Sequence, residues 1–319
     1  MPITSPTSPS INNTHIVGFK NRIHNPRFTI MQRGHKVVTS YGYTFDRWLC
    51  YSSTSCSYEV YDERSGHSGA LLHSGDTAPD FLLLEQRMEG EDISDFANQF
   101  VTFSFKAKRV DLGVFSGKLN VVYQHGLDGD IVDNGTVIEV DSNISGVSTT
   151  DYKHYSVTFK MPAIPRDAYF RIAIYFKDIV NATANSRFFK ITDVQLEKGL
   201  AATGVEYRTR STELLTCQRY YYQSPVVYNG LLGGVVYNRA YHSNTYRFPV
   251  EMRCAPSVMI KTNNLDDNRI YLYDKDNIVS LDTAIHSYKD GFNLFAYKKD
   301  WDGGSVLGGF NTIIASADL

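Results

Sequence analysis

The sequence is rich in aromatic rings, which can bind a ligand by stacking. The 319 residues include 22 Tyr, 18 Phe and 2 Trp, together 13% of the chain. A sugar site needs flat aromatic faces and polar side chains that reach hydroxyl groups. Four rings fit this pattern, because two share one strand face and two flank a short loop beside Asp-Gly-Gly. We predict a glycan site from these four: Tyr271, Tyr273, Tyr297 and Trp301.

Tyr41 and Tyr43 form a further pair of rings that share one strand face. Tyr and Phe favour pleated, half-buried surfaces, so such rings also fill cores and subunit interfaces. For each ring the sequence leaves both roles open. Trp301 is the strongest candidate for the sugar, because it lies next to Asp302-Gly303-Gly304 in an expected loop.

One acidic segment offers ligands for a hard cation. Asp128, Asp130 and Asp133 supply the oxygen atoms that Ca²⁺ prefers. The segment lacks the Glu that closes an EF-hand loop, and turns favour Asp and Asn for reasons of their own. We therefore predict no cofactor, with a structural Ca²⁺ at these three residues as the alternative.

A glycosidase needs two carboxylates that converge at a defined separation. Glu85, Glu89, Glu91 and Asp92 lie close together in the sequence, but we interpret the segment as a solvated connection between elements. No HExxH or paired CxxC spacing occurs either. We expect a protein that is not an enzyme and name no catalytic residues.

Charge and cysteine content limit the partners. The 32 Lys and Arg residues nearly balance 34 Asp and Glu residues, so the net charge of −2 gives no overall field for nucleic acid. No run of about 18 apolar residues predicts membrane insertion, and the first residues lack the blocks of a secretory signal. The four cysteines, Cys50, Cys56, Cys217 and Cys254, are expected to be free thiols, with a Cys50–Cys56 disulfide as the alternative.

The elements that must position these residues are strands. Val101–Lys108 alternates Val, Phe, Phe and Ala with Thr, Ser and Lys, which predicts one buried and one wet face. A second inward row alternates in the same way: Phe170, Ile172, Ile174 and Phe176. The apolar phase slips between Ile191 and Val194, which predicts a β-bulge. Many short strands separated by turn residues predict an all-β protein built on an antiparallel jelly-roll sandwich.

The chain divides into four segments. Residues 1–24 begin with a stretch rich in Ser, Thr, Pro and Asn and are expected to form an extended docking arm. Residues 25–200 form the jelly roll, and residues 201–224 a linker with a short helix. Residues 225–319 return to strand-like runs and form a second, smaller β domain.

The linker carries the one good helix signal of the sequence. Ser211 or Thr212 can cap its start, and Glu213 lies in the first turn. Cys217 shares a helix face with Leu214, which predicts a buried thiol rather than a reactive one.

Several motifs follow one another in a definite order. In the first half they are Asn25-Pro26-Arg27-Phe28, Gln32-Arg33-Gly34, Asp46-Arg47-Trp48 and Gln86-Arg87-x-Glu89. After them come Asp193-Val194-Gln195-Leu196-Glu197, Glu206-Tyr207-Arg208, Cys217-Gln218-Arg219-Tyr220-Tyr221, Phe248-Pro249-Val250 and Ala315-Ser316-Ala317-Asp318. In this order the chain after residue 24 resembles bacteriophage virion structural proteins, of tail fibre, tail tip or capsid surface, that have a carbohydrate-binding-module-like jelly roll and a C-terminal β domain.

The motif residues themselves indicate architecture. Asp46-Arg47-Trp48 predicts an ion-paired Arg beside a buried Trp, at a corner that fixes the entry of a strand. Four polar residues are expected to satisfy backbone groups where the chain leaves the sandwich: Gln195, Glu197, Glu206 and Arg208.

The resemblance implies a non-enzymatic virion surface protein that is synthesised in the host cytoplasm. It implies a short fibre, spike or tail-tip component that attaches to host-surface polysaccharide, and a homo-oligomer, a trimer, that contacts other virion proteins. The alternative is a purely architectural capsid decoration or cement protein, or a tail adaptor, without a ligand. The sticky segments Tyr220–Tyr222, Leu231-Leu232 and 234–237 favour oligomerisation in either case.

The arm is the expected contact with the virion. Its apolar side chains are the candidates for docking: Pro2, Ile3, Ile11, Ile16 and Phe19. A tail fibre generally carries an N-terminal attachment domain and a long shaft, and the resemblance extends to neither. The arm is therefore expected to dock directly onto a capsid or tail-adaptor surface.

Overall fold

Alternating apolar residues in the first half of the chain build two antiparallel sheets that pack face to face. A computed structural model describes residues 19–34, 36–38, 41–62, 68–74, 77, 79–110, 116–127, 136–180, 187–225, 230–237, 240–261, 269–274, 277–282, 284–297, 304–310 and 312–318. Within these residues the strands of the first half are β1 (Lys36–Val38), β2 (Tyr41–Tyr43), β3 (Trp48–Ser52), β4 (Cys56–Asp62), β5 (Ser68–Ser74), β6 (Leu82–Glu89), β7 (Phe100–Arg109), β8 (Ser116–Leu127), β9 (Thr136–Asp141), β10 (Lys153–Lys160), β11 (Ala168–Val180) and β12 (Arg187–Lys198).

The two sheets have six strands each. The first sheet has the order β1-β4-β5-β12-β7-β10, and the second has the order β2-β3-β6-β11-β8-β9. Neighbouring strands are antiparallel in both, although few neighbours are consecutive in the chain. The prediction of an all-β jelly-roll sandwich is confirmed.

The predicted inward rows form the core between the sheets. All four apolar residues of each row are fully buried: Val101, Phe103, Phe105 and Ala107 on β7, and Phe170, Ile172, Ile174 and Phe176 on β11. Phe176 stacks on Phe189 of the opposite sheet, with ring centroids 4.1 Å apart. Each buried Phe contributes about 1.5–3 kcal/mol relative to an exposed ring.

The outward face of β7 is more buried than the alternation predicts. Thr102 and Ser104 are buried. The Thr102 hydroxyl donates to the carbonyl of Gly199 at 2.9 Å, and that of Thr158 lies 3.3 Å from the carbonyl of Leu200. The chain leaving β12 therefore crosses this face, and the prediction of a wet face is wrong for this part of the strand.

The predicted bulge in β12 is confirmed. Its register with β7 shifts between Thr192 and Gln195, and Asp193 has a left-handed backbone with φ of 53°. The carboxylate of Asp193 accepts hydrogen bonds from Arg27 Nε and Lys106 Nζ, each at 2.9 Å. Burial acts to raise the pKa of Asp193, but these two cations outweigh it and lower the pKa.

Two short α-helices occur in the part of the chain that the structure describes, α1 (Gly90–Ile93) and α2 (Arg210–Gln218). Thr209 caps α2, since its Oγ1 accepts a hydrogen bond from the amide of Thr212, which corrects the predicted cap. Glu213 lies in the first turn and Cys217 is buried, as predicted. Neither helix is long and apolar enough to span a membrane.

The described cysteines whose side chains are placed are free thiols: Cys50, Cys217 and Cys254. Cys50 is buried, and its Sγ lies 2.9 Å from the hydroxyl of Thr44. Burial raises the pKa of the Cys217 thiol well above its ordinary value. The alternative of a disulfide at Cys50 is therefore not realised.

A second, smaller β domain follows α2. Its described strands are β13 (Tyr221–Gln223), β14 (Gly230–Tyr237), β15 (Ala240–Ser243), β16 (Tyr246–Arg247), β17 (Ser257–Lys261), β18 (Arg269–Asp274), β19 (Asn277–Asp282), β20 (Ala284–Tyr288), β21 (Gly291–Tyr297), β22 (Gly304–Phe310) and β23 (Thr312–Ser316). They form a three-stranded sheet, β13-β23-β17, and an eight-stranded sheet, β16-β21-β15-β14-β22-β18-β19, in which β20 pairs with β21.

The boundaries of the arm and of the linker differ in detail from those predicted from the sequence. Asn21 and Ile23, assigned to the arm, are fully buried against the sandwich, and the amide of Arg22 donates to the carbonyl of Leu196. Tyr220–Tyr222 are buried within this chain, so the expectation that they are exposed for oligomerisation is wrong. The reason is that β13 pairs with β23 and starts the second domain there.

We expect Asn25→Ala to lower the free energy of unfolding by at least about 3 kcal/mol. Asn25 is fully buried with φ of 52°, and its side chain bonds the amide and carbonyl of Ile30 and the carbonyl of Asp46. Each buried group left unpaired costs about 1–3 kcal/mol. Urea denaturation measures the difference.

Asn98→Ala is the matched control for this substitution. Asn98 has the same left-handed backbone, with φ of 60°, but it is exposed. Only backbone strain changes there, at a cost of about 1 kcal/mol. Equal losses in the two variants would show that the buried hydrogen bonds of Asn25 contribute nothing.

Candidate functional site

The sequence motifs converge where the two domains meet, and their first contact is the Trp48 corner. Trp48 is fully buried, and its Nε1 donates to the carbonyl of Asn25 at 3.0 Å. The guanidinium of Arg47 lies over the ring of Tyr220, 3.3 Å from the centroid, and donates to the carbonyl of Arg87. The predicted ion pair of Arg47 is therefore wrong, because an aromatic face and a carbonyl occupy its surroundings.

Asp46 pairs with Arg33 rather than with Arg47. Its guanidinium lies 3.9 Å from Asp46 Oδ1 and also binds Asp318, and it stacks 3.7 Å from the centroid of Tyr221. Gln32 adds a hydrogen bond from its Nε2 to the carbonyl of Tyr221 at 2.8 Å. The jelly roll is thereby joined to β13 and to the residues after β23.

Glu89 makes the second ionic contact between the domains. Its carboxylate accepts hydrogen bonds from Arg219 at 3.1 Å and from the hydroxyl of Tyr220 at 2.5 Å. We call the contacts of six groups the interdomain junction: Gln32, Arg33, Arg47, Glu89, Arg219–Tyr221 and Asp318. These residues are motif residues, so the motifs serve architecture.

The predicted role of the exit residues is confirmed. Glu197 Oε1 accepts the amide of Thr203 at 2.7 Å, and Gln195 Oε1 accepts the amide of Glu206 at 2.9 Å. Arg208 donates to the carbonyl of Ile23 and pairs with Glu213 at 2.7 Å. Burial raises the pKa of Glu213, and the charge of Arg208 limits the rise.

A row of aromatic rings crosses the outer face of the second sheet. We call it the aromatic strip, and it consists of Tyr41, Tyr51, Phe81 and Tyr175. Successive ring centroids are 6.2, 5.0 and 5.9 Å apart. Tyr41 is 57% exposed and Tyr51 43% exposed. Rings at these distances in edge and tilted arrangements hold one another in place.

Strand register creates the strip. Tyr41 of β2 lies opposite Tyr51 of β3, Tyr51 opposite Leu83 of β6, and Leu83 opposite Tyr175 of β11. Phe81 precedes β6 and completes the row by contact with Tyr51 and Tyr175. Four segments spread between residues 41 and 175 therefore contribute one surface, because directly opposed residues share a face of a sheet.

Polar groups border the strip. Glu85 accepts hydrogen bonds from Arg87 Nε at 2.7 Å and from Arg171 at 3.4 Å, and Arg87 also reaches the hydroxyl of Tyr41 at 3.4 Å. Burial acts to lower the pKa of Arg87, but the hydrogen bond and charge of Glu85 raise it overall. The strip thus combines stacking faces with fixed donors and acceptors.

The four clustered carboxylates divide into two pairs. Glu91 and Asp92 are exposed on α1, as expected of a solvated connection, whereas Glu85 and Glu89 are not on such a connection. Glu85 and Glu89 belong to β6, and Glu85 is only 4% exposed. Each is held by arginine, Glu85 by Arg87 and Arg171, and Glu89 by Arg219. The prediction of a loop is wrong for Glu85 and Glu89, because both belong to β6, whose alternation places polar residues on the outer face of the sheet.

The structure does not bring the predicted glycan residues into one described site. Tyr271 and Tyr273 lie on β18 and Tyr297 ends β21, with β15, β14 and β22 between them in the sheet order. Their side chains, and Trp301 altogether, lie outside the described residues. This glycan site stays a prediction.

The remaining candidates are distributed as follows. Phe19 is 40% exposed, and the guanidinium of Arg208 lies 4.8 Å from its ring centroid. Several predicted residues lie outside the described ones: Pro2, Ile3, Ile11 and Ile16 of the arm, and Asp128, Asp130 and Asp133 of the acidic segment. The side chains that the structure places include no group of three potential metal ligands.

No protein-family model matches the chain, and no curated protein matches it. Among solved structures, it is similar to the enzymatically active domain of tailspike protein 4 of bacteriophage CBA120, with 12% identity and a TM-score of 0.33 over 56% of this chain. The match spans 22% of the tailspike chain.

Two binding modules are similar to a comparable degree. The CBM22-1 xylan-binding domain of Paenibacillus barcinonensis Xyn10C has 9% identity and a TM-score of 0.32, covering 56% of this chain and 94% of the module. TmCBM61, bound to β-1,4-galactotriose, has 11% identity and a TM-score of 0.33, covering 57% and 100%.

We expect Arg33→Ala to lower the free energy of unfolding by about 3 kcal/mol, because it leaves the fully buried Asp46 without a cation. The Arg247→Ala control removes an exposed pair with Asp290 and should cost no more than about 0.5 kcal/mol. Chemical denaturation of both variants compares the losses.

The effect of Arg33→Ala should also depend on pH. Burial raises the pKa of Asp46 above its ordinary value of 3.8, so the ionised carboxylate costs stability as pH rises through the folded-state pKa. Without Arg33 that cost is larger. The loss should therefore be greater near pH 7 than near about pH 3, and a loss independent of pH would contradict the pairing.

Proposed function

We propose that this protein is a non-enzymatic surface component of a bacteriophage virion that attaches to host-surface polysaccharide through the aromatic strip. The proposal rests on the row of rings in which Tyr41 and Tyr51 are exposed and Phe81 and Tyr175 are half-buried. The virion assignment draws support from the order of the sequence motifs after residue 24, which resembles that of phage virion proteins.

The chemistry of the strip suits a sugar chain. Ring faces stack on the apolar faces of pyranose units, while the hydroxyl of Tyr41 and the guanidinium of Arg87 can bond sugar hydroxyls. The rings already contact one another, so binding immobilises few side chains. A row that crosses several strands matches an extended chain better than a single small molecule.

Binding at one strip is expected to be weak. A shallow face buries little of its ligand compared with an enclosed pocket. A trimer on the virion would present three strips to one polysaccharide surface, and effective concentration would then raise the overall affinity without a new contact. Weak single sites in several copies also allow reversible search over a cell surface.

The non-enzymatic part of the proposal rests on the carboxylates beside the strip. Glu85 is held by Arg87 and Arg171, and Glu89 by Arg219 and Tyr220. Hydrolysis of a glycosidic bond needs one carboxyl group that can donate a proton and a second that faces it. These two are engaged in the fold instead.

A purely architectural role is the second candidate. The interdomain junction favours it, because Arg33, Arg47 and Glu89 are motif residues whose side chains contact residues that follow α2. Such a protein would decorate or cement a capsid, or adapt a tail, through its shape alone.

The strip is tested by the double variant Tyr41→Ala/Tyr51→Ala. We expect wild-type protein to bind at least one neutral hexasaccharide from a panel of β-1,4-glucan, β-1,4-galactan and α-1,4-glucan, with a Kd of about 1 mM. Loss of two stacking contacts should weaken binding about tenfold or more. Calorimetric titration measures both.

Tyr288→Ala is the control for this experiment, since Tyr288 is 50% exposed but lies on β20 in the second domain. It should bind as wild type does. Absence of binding by wild type to every sugar, or unchanged binding by the double variant, would favour the architectural role.

Deletion of residues 1–14 tests the docking arm. The truncated protein should remain a folded oligomer, because the deletion leaves in place Phe19 and Lys20, at which the described contacts of this segment begin. It should no longer join the particle, since the arm is the expected contact with other virion proteins. Electron microscopy and quantitative blotting of purified particles measure incorporation. Normal incorporation of the truncated protein would show that the arm is not needed for docking.

A further inference from the structure

A cleft separate from the aromatic strip opens where the chain leaves the jelly roll. It lies between the bulge of β12, the segment after Asn25 and the linker before α2, and has a volume of about 310 Å³. Ligand pockets of about 300–1,000 Å³ are typical of small-molecule sites, so this one suits one or two sugar units. Its lining includes Arg27, Asp193, Tyr207 and Arg210.

The cleft carries an aromatic ring on a fixed backbone. Tyr207 is 74% exposed. Its neighbours are anchored: the carboxylate of Glu206 accepts the amides of Lys20 at 3.2 Å and Asn21 at 2.9 Å, and Arg208 is paired with the buried Glu213. The exposure of this ring is therefore imposed by the fold rather than by a loose loop.

Arg27 supplies the first cation of the cleft. Its Nε is held by Asp193, and its guanidinium carbon lies 6.0 Å from the ring centroid of Tyr207. Among the described residues its terminal nitrogens make no hydrogen bond, so they remain available to a ligand. Asp193 is shared with Lys106, so one carboxylate faces two cations and does not neutralise both.

Arg210 supplies the second cation. Arg210 is exposed, and its guanidinium forms no hydrogen bond or ion pair with any described residue. The remaining carboxylates of the cleft are engaged elsewhere, Glu206 by backbone amides and Glu213 by Arg208. Glu206 keeps its charge, because its donors are neutral amides; with Lys106 counted, four cations still exceed three carboxylates in and around the cleft by one positive charge, beside a stacking face.

We propose that this cleft binds an acidic sugar, a pyranose that carries a carboxylate. The sugar face stacks on Tyr207, and the carboxylate accepts charged hydrogen bonds from Arg27 and Arg210. Asp193 and the hydroxyl of Thr29 lie in the lining and accept from sugar hydroxyls. The site is independent of the strip, which lies on the other sheet, and neither proposal needs the other.

The test titrates α-1,4-trigalacturonate into the full chain, followed by NMR chemical shifts. Wild type should bind in the millimolar range, and Arg210→Gln should weaken binding about tenfold, since it removes a charge-assisted hydrogen bond. Tyr207→Ala should weaken it about fivefold. Both side chains are exposed, so folding should be unaffected, and thermal unfolding verifies this.

Three controls separate the sources of affinity. Arg210→Lys keeps the charge but loses the planar fork and should lie between wild type and Arg210→Gln. Tyr41→Ala/Tyr51→Ala should bind trigalacturonate as wild type does. Neutral galactotriose and inorganic phosphate should each bind at least about tenfold more weakly than trigalacturonate, because each lacks one half of the recognition.

Several results would overturn the proposal. They are no binding at about 10 mM trigalacturonate, unchanged binding by Arg210→Gln or Tyr207→Ala, and equally tight binding of galactotriose or phosphate. Loss of trigalacturonate binding in the strip variant would also overturn it, since the acidic sugar would then occupy the strip. If no neutral hexasaccharide binds the aromatic strip, the outcomes expected for trigalacturonate at the cleft stay the same. The two proposals can therefore be disproved independently.

Discussion

Asn25 is the residue on which both candidate ligand surfaces depend. Its side chain bonds the backbone of two neighbouring loops, its carbonyl receives Trp48 Nε1, and its amide donates to Glu213. These groups are buried, so a lost contact leaves a polar atom unpaired away from water. The Trp48 corner sets the start of β3 and with it the outward direction of Tyr51. The contact with Glu213 holds α2, and so the linker that presents Tyr207.

The interdomain junction extends this constraint to the second domain. Arg33 and Arg47 each stack on a tyrosine that follows α2, and Glu89 holds both Arg219 and Tyr220. Flat cations against rings and short charged hydrogen bonds resist sliding as well as separation. A polysaccharide at the proposed strip site would therefore pull on both domains together.

Local alternation was enough to predict the fold, whereas the candidate site needed long-range information. The inward rows of β7 and β11 and the bulge near Asp193 follow from a period of two, which a strand keeps whatever its neighbours are. The strip depends on the register of β2, β3, β6 and β11, which no single segment encodes. Tyr41 was a candidate from its own strand, but Tyr51 and Tyr175 gave no signal in isolation. The burial of Thr102 was missed for the same reason, since a distant segment covers it.

The pairing of Arg33 with Asp318 has a consequence for synthesis. The two residues are 285 positions apart, so at about 5–20 residues per second the partner of Arg33 leaves the ribosome about 15–60 s later. During that interval the jelly roll that contains Arg33 and Asp46 lacks the contact with Asp318. A nascent chain interrupted before β23 would therefore lack the Asp318 partner of Arg33 and the strand that pairs with β13. Synthesis of the residues that follow β23, rather than completion of the first domain, allows Arg33 to form this pair.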